Sequence, residues 1–179
     1  GIRRRHSAPV FALSIYGQIM KIENTIIRAY EAADVESLSR IWFAASSEAH
    51  AFIGEDRLRA QQSLIETVYL PRAETWVAMQ GGEQAGFISL MENFIGGLFV
   101  SPRHQGYGIG RQLIAHALAL KGQLQLEVYT AHERAYAFYR ALGFEEVSRR
   151  PDDDQGLPFE NAQMLLKALM GAPAKASSG

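Results

Sequence analysis

The sequence predicts an α/β domain in which helices pack on a mixed sheet of about six to seven strands. Its 179 residues, 47% of them apolar and 21% charged, suit one domain with its own core. Segments of period-two alternation and of helical spacing follow in the order strand, two helices, three strands, helix, strand, helix, two strands. The strand–helix–strand unit over residues 94–129 therefore predicts a parallel pair with a right-handed crossover.

The N-terminal half predicts a strand, two helices and a hairpin. The strand lies in NTIIRAYEAAD, and Asp34 is expected to cap the helix that follows. Helical spacing places five apolar side chains on one face of that helix: Val35, Leu38, Ile41, Trp42 and Ala45. GEDRLRAQQSLIETVYLP predicts a second helix that ends near Pro71. TWVAMQ and EQAGFISLMEN predict two strands joined by a turn at Gly81 and Gly82.

The C-terminal half predicts four more strands and two helices. FIGGLFV is typical of a short buried strand, and residues 111–121 have the spacing of a helix. QLQLEVY alternates strictly, which predicts a half-buried strand. ERAYAFYRALG predicts a helix that stops at Gly143, and FEEVSRR and AQMLLKAL predict the closing strands.

Composition and the chain termini restrict the class of protein. The absence of cysteine excludes disulfides and thiolate chemistry. The formal net charge of −1 gives no argument for nucleic acid or membrane partners, and we expect neither. We expect a cytoplasmic protein with an upstream extension or cloning remnant at residues 1–19, a folded domain at 20–170 and a flexible tail at 171–179.

The segment VSPRHQGYGIG has glycines at three alternate positions, Gly106, Gly108 and Gly110, between a strand end and a helix start. The first N–H groups of a helix have no partner within it, and the helix dipole adds positive charge there. Glycines let a phosphate approach those N–H groups, and Gln105 and Arg111 can add donors. The segment therefore predicts a phosphate site, although a plain strand-to-helix turn is the alternative.

Two nucleotide-binding motifs fit this segment less well. A Walker turn needs Lys and then Ser or Thr after its last glycine, where this chain has Arg111 and Gln112. A dinucleotide fingerprint needs its third glycine three places after the second, which is the position of Arg111. Glu127 lies at the distance of a ribose-binding carboxylate, so an unrelated nucleotide-binding domain stays an alternative.

Gln105, Gly108 and Gly110 match the pattern Q/R-x-x-G-x-G/A, and AYAFYRALGF matches A-x-x-F-Y-x-x-x-G-F. In these two motifs the chain resembles the GNAT superfamily of N-acetyltransferases, specifically small bacterial members. The resemblance implies the GNAT fold from about Ile22 to Leu169. It implies transfer of an acetyl group from acetyl-CoA to a primary amine of a small molecule or peptide, by direct attack in a ternary complex without a metal. A non-catalytic acyl-CoA-binding module on the same fold is the alternative, and a homodimer is possible.

The resemblance also implies roles for individual residues. It implies that the coenzyme contacts twelve residues: Leu98, Phe99, Val100, Gln105, Gly106, Tyr107, Gly108, Ile109, Gly110, Arg111, His132 and Tyr139. Of these, His132 replaces the usual Asn, and Tyr139 is the general acid that protonates the leaving thiolate.

The two motifs do not identify the general base or the residues that bind the acceptor. Glu92 and Glu127 are the candidate bases. Trp42, His50 and Asn93 are candidates for binding the acceptor, and Phe52 could line the same pocket. The sequence does not identify the acceptor.

Overall fold

The computed structural model describes residues 25–49 and 51–169. Its centre is a mixed seven-stranded sheet in the order β1-β2-β3-β4-β5-β7-β6. The strands are β1 Thr25–Ala29, β2 Glu74–Gln80, β3 Glu83–Met91, β4 Phe94–Val100, β5 Gln123–Tyr129, β6 Glu145–Arg150 and β7 Asn161–Lys167. Only β4 and β5 pair in parallel within this sheet, and the other five neighbouring pairs are antiparallel. The predicted α/β class, mixed sheet and parallel crossover are confirmed.

Four helices cover the two faces of the sheet. They are α1 Val35–Ala49, α2 Glu55–Leu64, α3 Ile109–Lys121 and α4 Glu133–Ala141. The chain of α2 continues through a π turn, Ile65–Tyr69, into a last helical turn, Leu70–Arg72, so the predicted end near Pro71 is confirmed. Among the described residues, no helix has the length and apolarity needed to cross a membrane.

Each face of the sheet has its own hydrophobic core. On one face, Leu113 and Ile114 of α3 pack with Leu124 and Leu126 of β5, and Tyr139 of α4 packs against them. On the other face α1 and α2 pack on β2 and β3 through seven buried residues: Leu38, Ile41, Trp42, Leu58, Leu70, Val77 and Phe87. The sheet therefore separates an α3/α4 side from an α1/α2 side.

Asp34 does not cap α1, so that prediction is wrong. It ends a 3-10 turn, Ala32–Asp34, and its carboxylate is directed back toward β1. Arg28 donates to both carboxylate oxygens at 2.8 Å, the N–H of Glu31 donates at 2.8 Å, and the Gln84 side chain donates at 3.0 Å. Asp34 is 2% exposed, and its carboxylate accepts hydrogen bonds from four donors. It therefore acts as a buried link between β1 and β3 and not as a helix cap.

We expect Asp34→Asn to lower the free energy of unfolding at pH 7 by about 2 kcal/mol, since it leaves Arg28 without its charged acceptor. The hydrogen bonds from Arg28 hold the pKa of Asp34 well below its usual value of about 4. The stabilisation is therefore complete above pH ~4 and is lost as the pH falls toward the lower folded-state pKa. In urea unfolding, the difference in stability between the two proteins should be smaller at pH 3 than at pH 7. An equal difference at both pH values would contradict this role.

The strand β4 is less buried than the apolar sequence FIGGLFV predicts. Most of its residues are partly exposed. Along β4 and β5 only two parallel pairs form, Phe94 with Gln125 and Ile95 with Leu126. After Ile95 the two strands diverge, so the predicted burial of this strand is wrong over its second half.

Candidate active site

The divergence of β4 and β5 leaves an opening within the sheet, which we name the β4–β5 gap. Its sides are the backbone of residues 96–100 on β4 and 127–129 on β5. The outer edge of each strand stays paired, since β4 pairs with β3 as far as Val100 and β5 pairs with β7 as far as Tyr129. Beyond Ile95 the facing edges pair with no strand among the described residues, so they can bind an extended ligand that takes the position of a strand.

The glycine turn lies at the end of β4. Gly106 and Gly108 have φ angles of +84° and +81°, in the left-handed region that favours glycine. A Cβ on either residue would meet no atom of the described residues within 4 Å, so both face space that those residues leave open. Gly108 precedes the first residue of α3, and the first helical bond runs from Gln112 N–H to the Gly108 carbonyl at 3.0 Å.

Several N–H groups at this helix start remain available to a ligand. Within the described part of the chain, those of Gly108, Ile109, Gly110 and Arg111 donate to no backbone oxygen. The side chain of Ile109 is 1% exposed and fixes the turn to the core on the α3/α4 side. The turn thus combines a fixed backbone with free donors beside open space, which suits an anion such as phosphate.

Gly110 has a different reason to be glycine. Its φ is not in the left-handed region, but a Cβ there would lie 3.2 Å from the ring of Phe138 and 3.8 Å from the Val100 side chain. The third glycine therefore lets α4 and the end of β4 approach the start of α3. Gln105 donates its side-chain amide to the Val100 carbonyl at 3.2 Å, which ties the turn to β4.

The remaining predicted coenzyme contacts lie around the same opening. Leu98 and Val100 pack toward the α3/α4 core, and Phe99 packs toward the opposite core. Tyr107 lies within the turn and is partly buried. His132 precedes α4, and its side chain makes no capping hydrogen bond to the helix. Their contacts with the coenzyme stay predictions.

Tyr139 lies on α4 between two aromatic rings, with Phe138 and Phe144 at centroid distances of 5.2 and 5.4 Å. Its hydroxyl makes no hydrogen bond with any residue that the structure describes. Burial raises the pKa of Tyr139 above its ordinary value of about 10. The phenol therefore keeps its proton at neutral pH, as a general acid requires.

The two candidate bases lie at different places. Glu127 is the first β5 residue after the last parallel pair, so it lies where the β4–β5 gap begins. Its side chain is on the face opposite buried Leu126 and Val128, toward the α1/α2 side, and it accepts a bond from Arg150 at 2.6 Å. Glu92 is exposed in the β3–β4 turn with φ +54°. The structure therefore favours Glu127, and both roles stay predictions.

The three acceptor candidates are also separated. Asn93 lies in the β3–β4 turn beside Glu92, at the paired end of β4. Trp42 is 5% exposed and contacts Phe99 edge to face at 6.3 Å, so it packs beneath β4 in the core. His50 lies outside the described residues. Any role of these three in binding the acceptor stays a prediction.

The sequence interpretation missed an aromatic cluster, formed by Phe52, Tyr129 and Phe159. Phe52 contacts Tyr129 at 5.7 Å and Phe159 at 5.4 Å, and Tyr129 contacts Phe159 at 6.1 Å. Of the three, the sequence points only to Phe52 as a residue of the acceptor pocket. A sequence signal exists only for Tyr129, because the alternation of QLQLEVY places it on the same face as Glu127. Nothing in the local sequence connects Phe159 to them.

A mixed sheet with a parallel pair that diverges beside a glycine turn is the arrangement that the resemblance to GNAT proteins implies. A sequence profile described as "Acetyltransferase (GNAT) domain" matches residues 71–146, which contain the turn, the gap, all of α4 and the first two residues of β6. The chain is also 32% identical over 147 residues to the peptidyl-lysine N-acetyltransferase YjaB of Escherichia coli (strain K12), an alignment covering 82% of this chain and 97% of YjaB. The chain therefore belongs to the GNAT family and is an acetyl-CoA-dependent N-acetyltransferase.

Solved structures agree with this assignment. The apo form of YjaB from Escherichia coli, solved in solution, superimposes with a TM-score of 0.73 at 30% identity and covers 79% of this chain and 96% of that one. The PaiA N-acetyltransferase of Thermoplasma acidophilum, solved in complex with coenzyme A, has a TM-score of 0.67 at 18% identity and covers 80% and 99%. The second likeness supports the fold alone.

The described part of the chain contains no cluster of side chains suited to binding a metal ion. Within residues 25–49 and 51–169 no group of three or more His, Asp or Glu side chains could hold an ion. The expectation of a metal-independent reaction stays a prediction.

Proposed function

We propose that this enzyme transfers the acetyl group of acetyl-CoA to the side-chain amine of a lysine in a peptide or protein. The observation that carries the proposal is the pairing of a free-amide glycine turn with the open β4–β5 gap. The relative YjaB is named for acetylation of peptidyl lysine, which supports this acceptor. The match to the GNAT domain profile supports acetyl-CoA as the donor.

The coenzyme is expected to approach from the α3/α4 side. Its diphosphate would accept hydrogen bonds from the N–H groups of Gly108, Ile109 and Gly110 at the positive end of α3. Its amide-containing arm would pair with the free backbone edge of β4 over residues 97–100. This placement aims the thioester at the point where the gap begins.

The amine is expected to approach from the α1/α2 side, where Glu127 lies. Glu127 would take a proton from the ammonium, directly or through water, because only a neutral amine can attack the thioester. The amine nitrogen then bonds to the carbonyl carbon, and the carbon–sulfur bond breaks as the tetrahedral intermediate collapses. Tyr139, on the opposite face, would give its proton to the leaving thiolate. The second proton, which the nitrogen loses on forming the amide, would return through water to the phenolate of Tyr139.

The test of this proposal measures coenzyme A release and peptide acetylation with lysyl peptides and acetyl-CoA. We expect turnover that depends on the peptide and a mass increase on the lysine side chain. Acetyl-CoA binding without transfer to any amine would instead favour the non-catalytic module. Thermal protection by acetyl-CoA measures binding separately from turnover.

We expect Glu127→Gln to lower kcat/KM about 100-fold, because the amide cannot accept the proton from the amine. Arg150→Gln is the matched control, since it breaks the same ion pair and keeps the carboxylate. The control should retain most of the activity. Equal losses in both variants would mean that Glu127 acts only through its ion pair, and initial rates on a lysyl peptide decide between these outcomes.

The location and assembly of the enzyme follow less directly. A cytoplasmic location is proposed because acetyl-CoA and its peptide acceptors are available there. A homodimer, and the absence of nucleic acid and membrane partners, stay predictions.

A further inference from the structure

The aromatic cluster of Phe52, Tyr129 and Phe159 lies at the mouth of the β4–β5 gap. Tyr129 is the last residue of β5, two positions after Glu127 and on the same face of the sheet. Phe52 comes from the short turn after α1, and Phe159 comes from the loop between β6 and β7. Three separate segments therefore place aromatic rings beside the candidate base, on the side from which the amine approaches.

The loop that carries Phe159 is held in one arrangement by hydrogen bonds. Asp153 accepts from the N–H groups of Gln155 at 3.0 Å and Leu157 at 2.9 Å. The Asn161 side chain donates to the carbonyl of Asp152 at 2.9 Å and to that of Phe159 at 3.3 Å. Asn161 is 3% exposed, so its two bonds are shielded from water and hold the backbone of Phe159 in place.

The surroundings of the cluster are negative. Burial, followed by the carboxylates of Asp153, Asp154 and Glu127, raises the pKa of Tyr129 to about 12. Arg150 pairs with Glu127 at 2.6 Å and lies 3.9 Å from Asp154. Aromatic faces next to carboxylates attract an ammonium group on an apolar stem.

We propose that the aromatic cluster determines acceptor specificity by holding the side chain of the substrate lysine. The methylene stem packs on Phe52 and Phe159, and the ammonium lies near Tyr129 before it loses its proton at Glu127. Phe52 is 42% exposed although it is a large apolar residue, which suits a ring that a substrate covers. This inference rests on the proposed function, and it adds the residues that recognise the acceptor side chain.

The experiment compares Phe52→Ala with wild type on two peptides that differ only in the acceptor, one with lysine and one with the shorter diaminopropionic acid. We expect wild type to prefer the lysyl peptide, and Phe52→Ala to lose about tenfold in kcat/KM on it, mainly through KM. The shorter acceptor should be affected much less, and Phe52→Tyr should restore the preference. Tyr69→Ala is the control, since Tyr69 is an aromatic residue of similar exposure on the π turn after α2.

Phe159→Leu is a second variant, and thermal protection by acetyl-CoA checks that each protein folds and binds the donor. An unchanged preference in both folded variants overturns the role of the cluster and leaves the proposed function intact. If the wild-type enzyme acetylates neither peptide, the proposed function is wrong, and so is this inference.

Discussion

Gly108→Val is expected to weaken acetyl-CoA binding about 100-fold. The φ of +81° strains any residue with a Cβ, and a β-branched side chain strains it further. The new side chain would also occupy the open space in which we place the diphosphate. Isothermal titration with acetyl-CoA measures the change, and a loss of about 3 kcal/mol in binding free energy corresponds to the expected fold-change.

Gly122→Val is the matched control for that variant. Gly122 follows the other end of α3, has a φ of +79° and also has no atom within 4 Å of a built Cβ. Gly122→Val should lower the free energy of unfolding about as much as Gly108→Val does, by about 1 to 3 kcal/mol. It should leave the affinity for acetyl-CoA unchanged. If both variants bind acetyl-CoA like wild type, the glycine turn is not the phosphate site.

Tyr139→Phe is expected to lower kcat about 100-fold while acetyl-CoA affinity changes little. The variant keeps the ring between Phe138 and Phe144 and removes only the proton donor. Since burial raises the pKa of Tyr139, its ionisation should not limit the wild-type rate up to pH ~9. Pre-steady-state and steady-state rates across that pH range measure both expectations.

Tyr136→Phe provides the comparison on the same helix. The Tyr136 hydroxyl donates to Glu146 at 2.5 Å, so it has a structural partner that the Tyr139 hydroxyl lacks among the described residues. We expect this variant to lose some stability and keep its kcat. Full activity in Tyr139→Phe would assign that tyrosine to the core alone.

Much of the fold could be predicted because local patterns encode it. The alternation of QLQLEVY marks the buried face of β5, and the pair Gly81–Gly82 marks the hairpin, where both glycines have positive φ. The glycine turn could be predicted for the same reason, since left-handed φ values at Gly106 and Gly108 depend on local sequence.

Other features depend on contacts between distant segments, and local patterns do not report them. Asp34 looks like a helix cap, but Gln84, fifty residues away, helps to make it a buried link. FIGGLFV is as apolar as a buried strand. It is partly exposed because β5 stops pairing with it after Ile95. The aromatic cluster assembles residues 52, 129 and 159, which no spacing rule connects.

The most direct test of the central claim is a crystal structure of this protein with acetyl-CoA. The claim predicts the diphosphate within about 3 Å of the N–H groups of Gly108, Ile109 and Gly110, with the thioester in the β4–β5 gap between Tyr139 and Glu127. A diphosphate bound elsewhere, or a gap that stays empty while the coenzyme is bound, would contradict it.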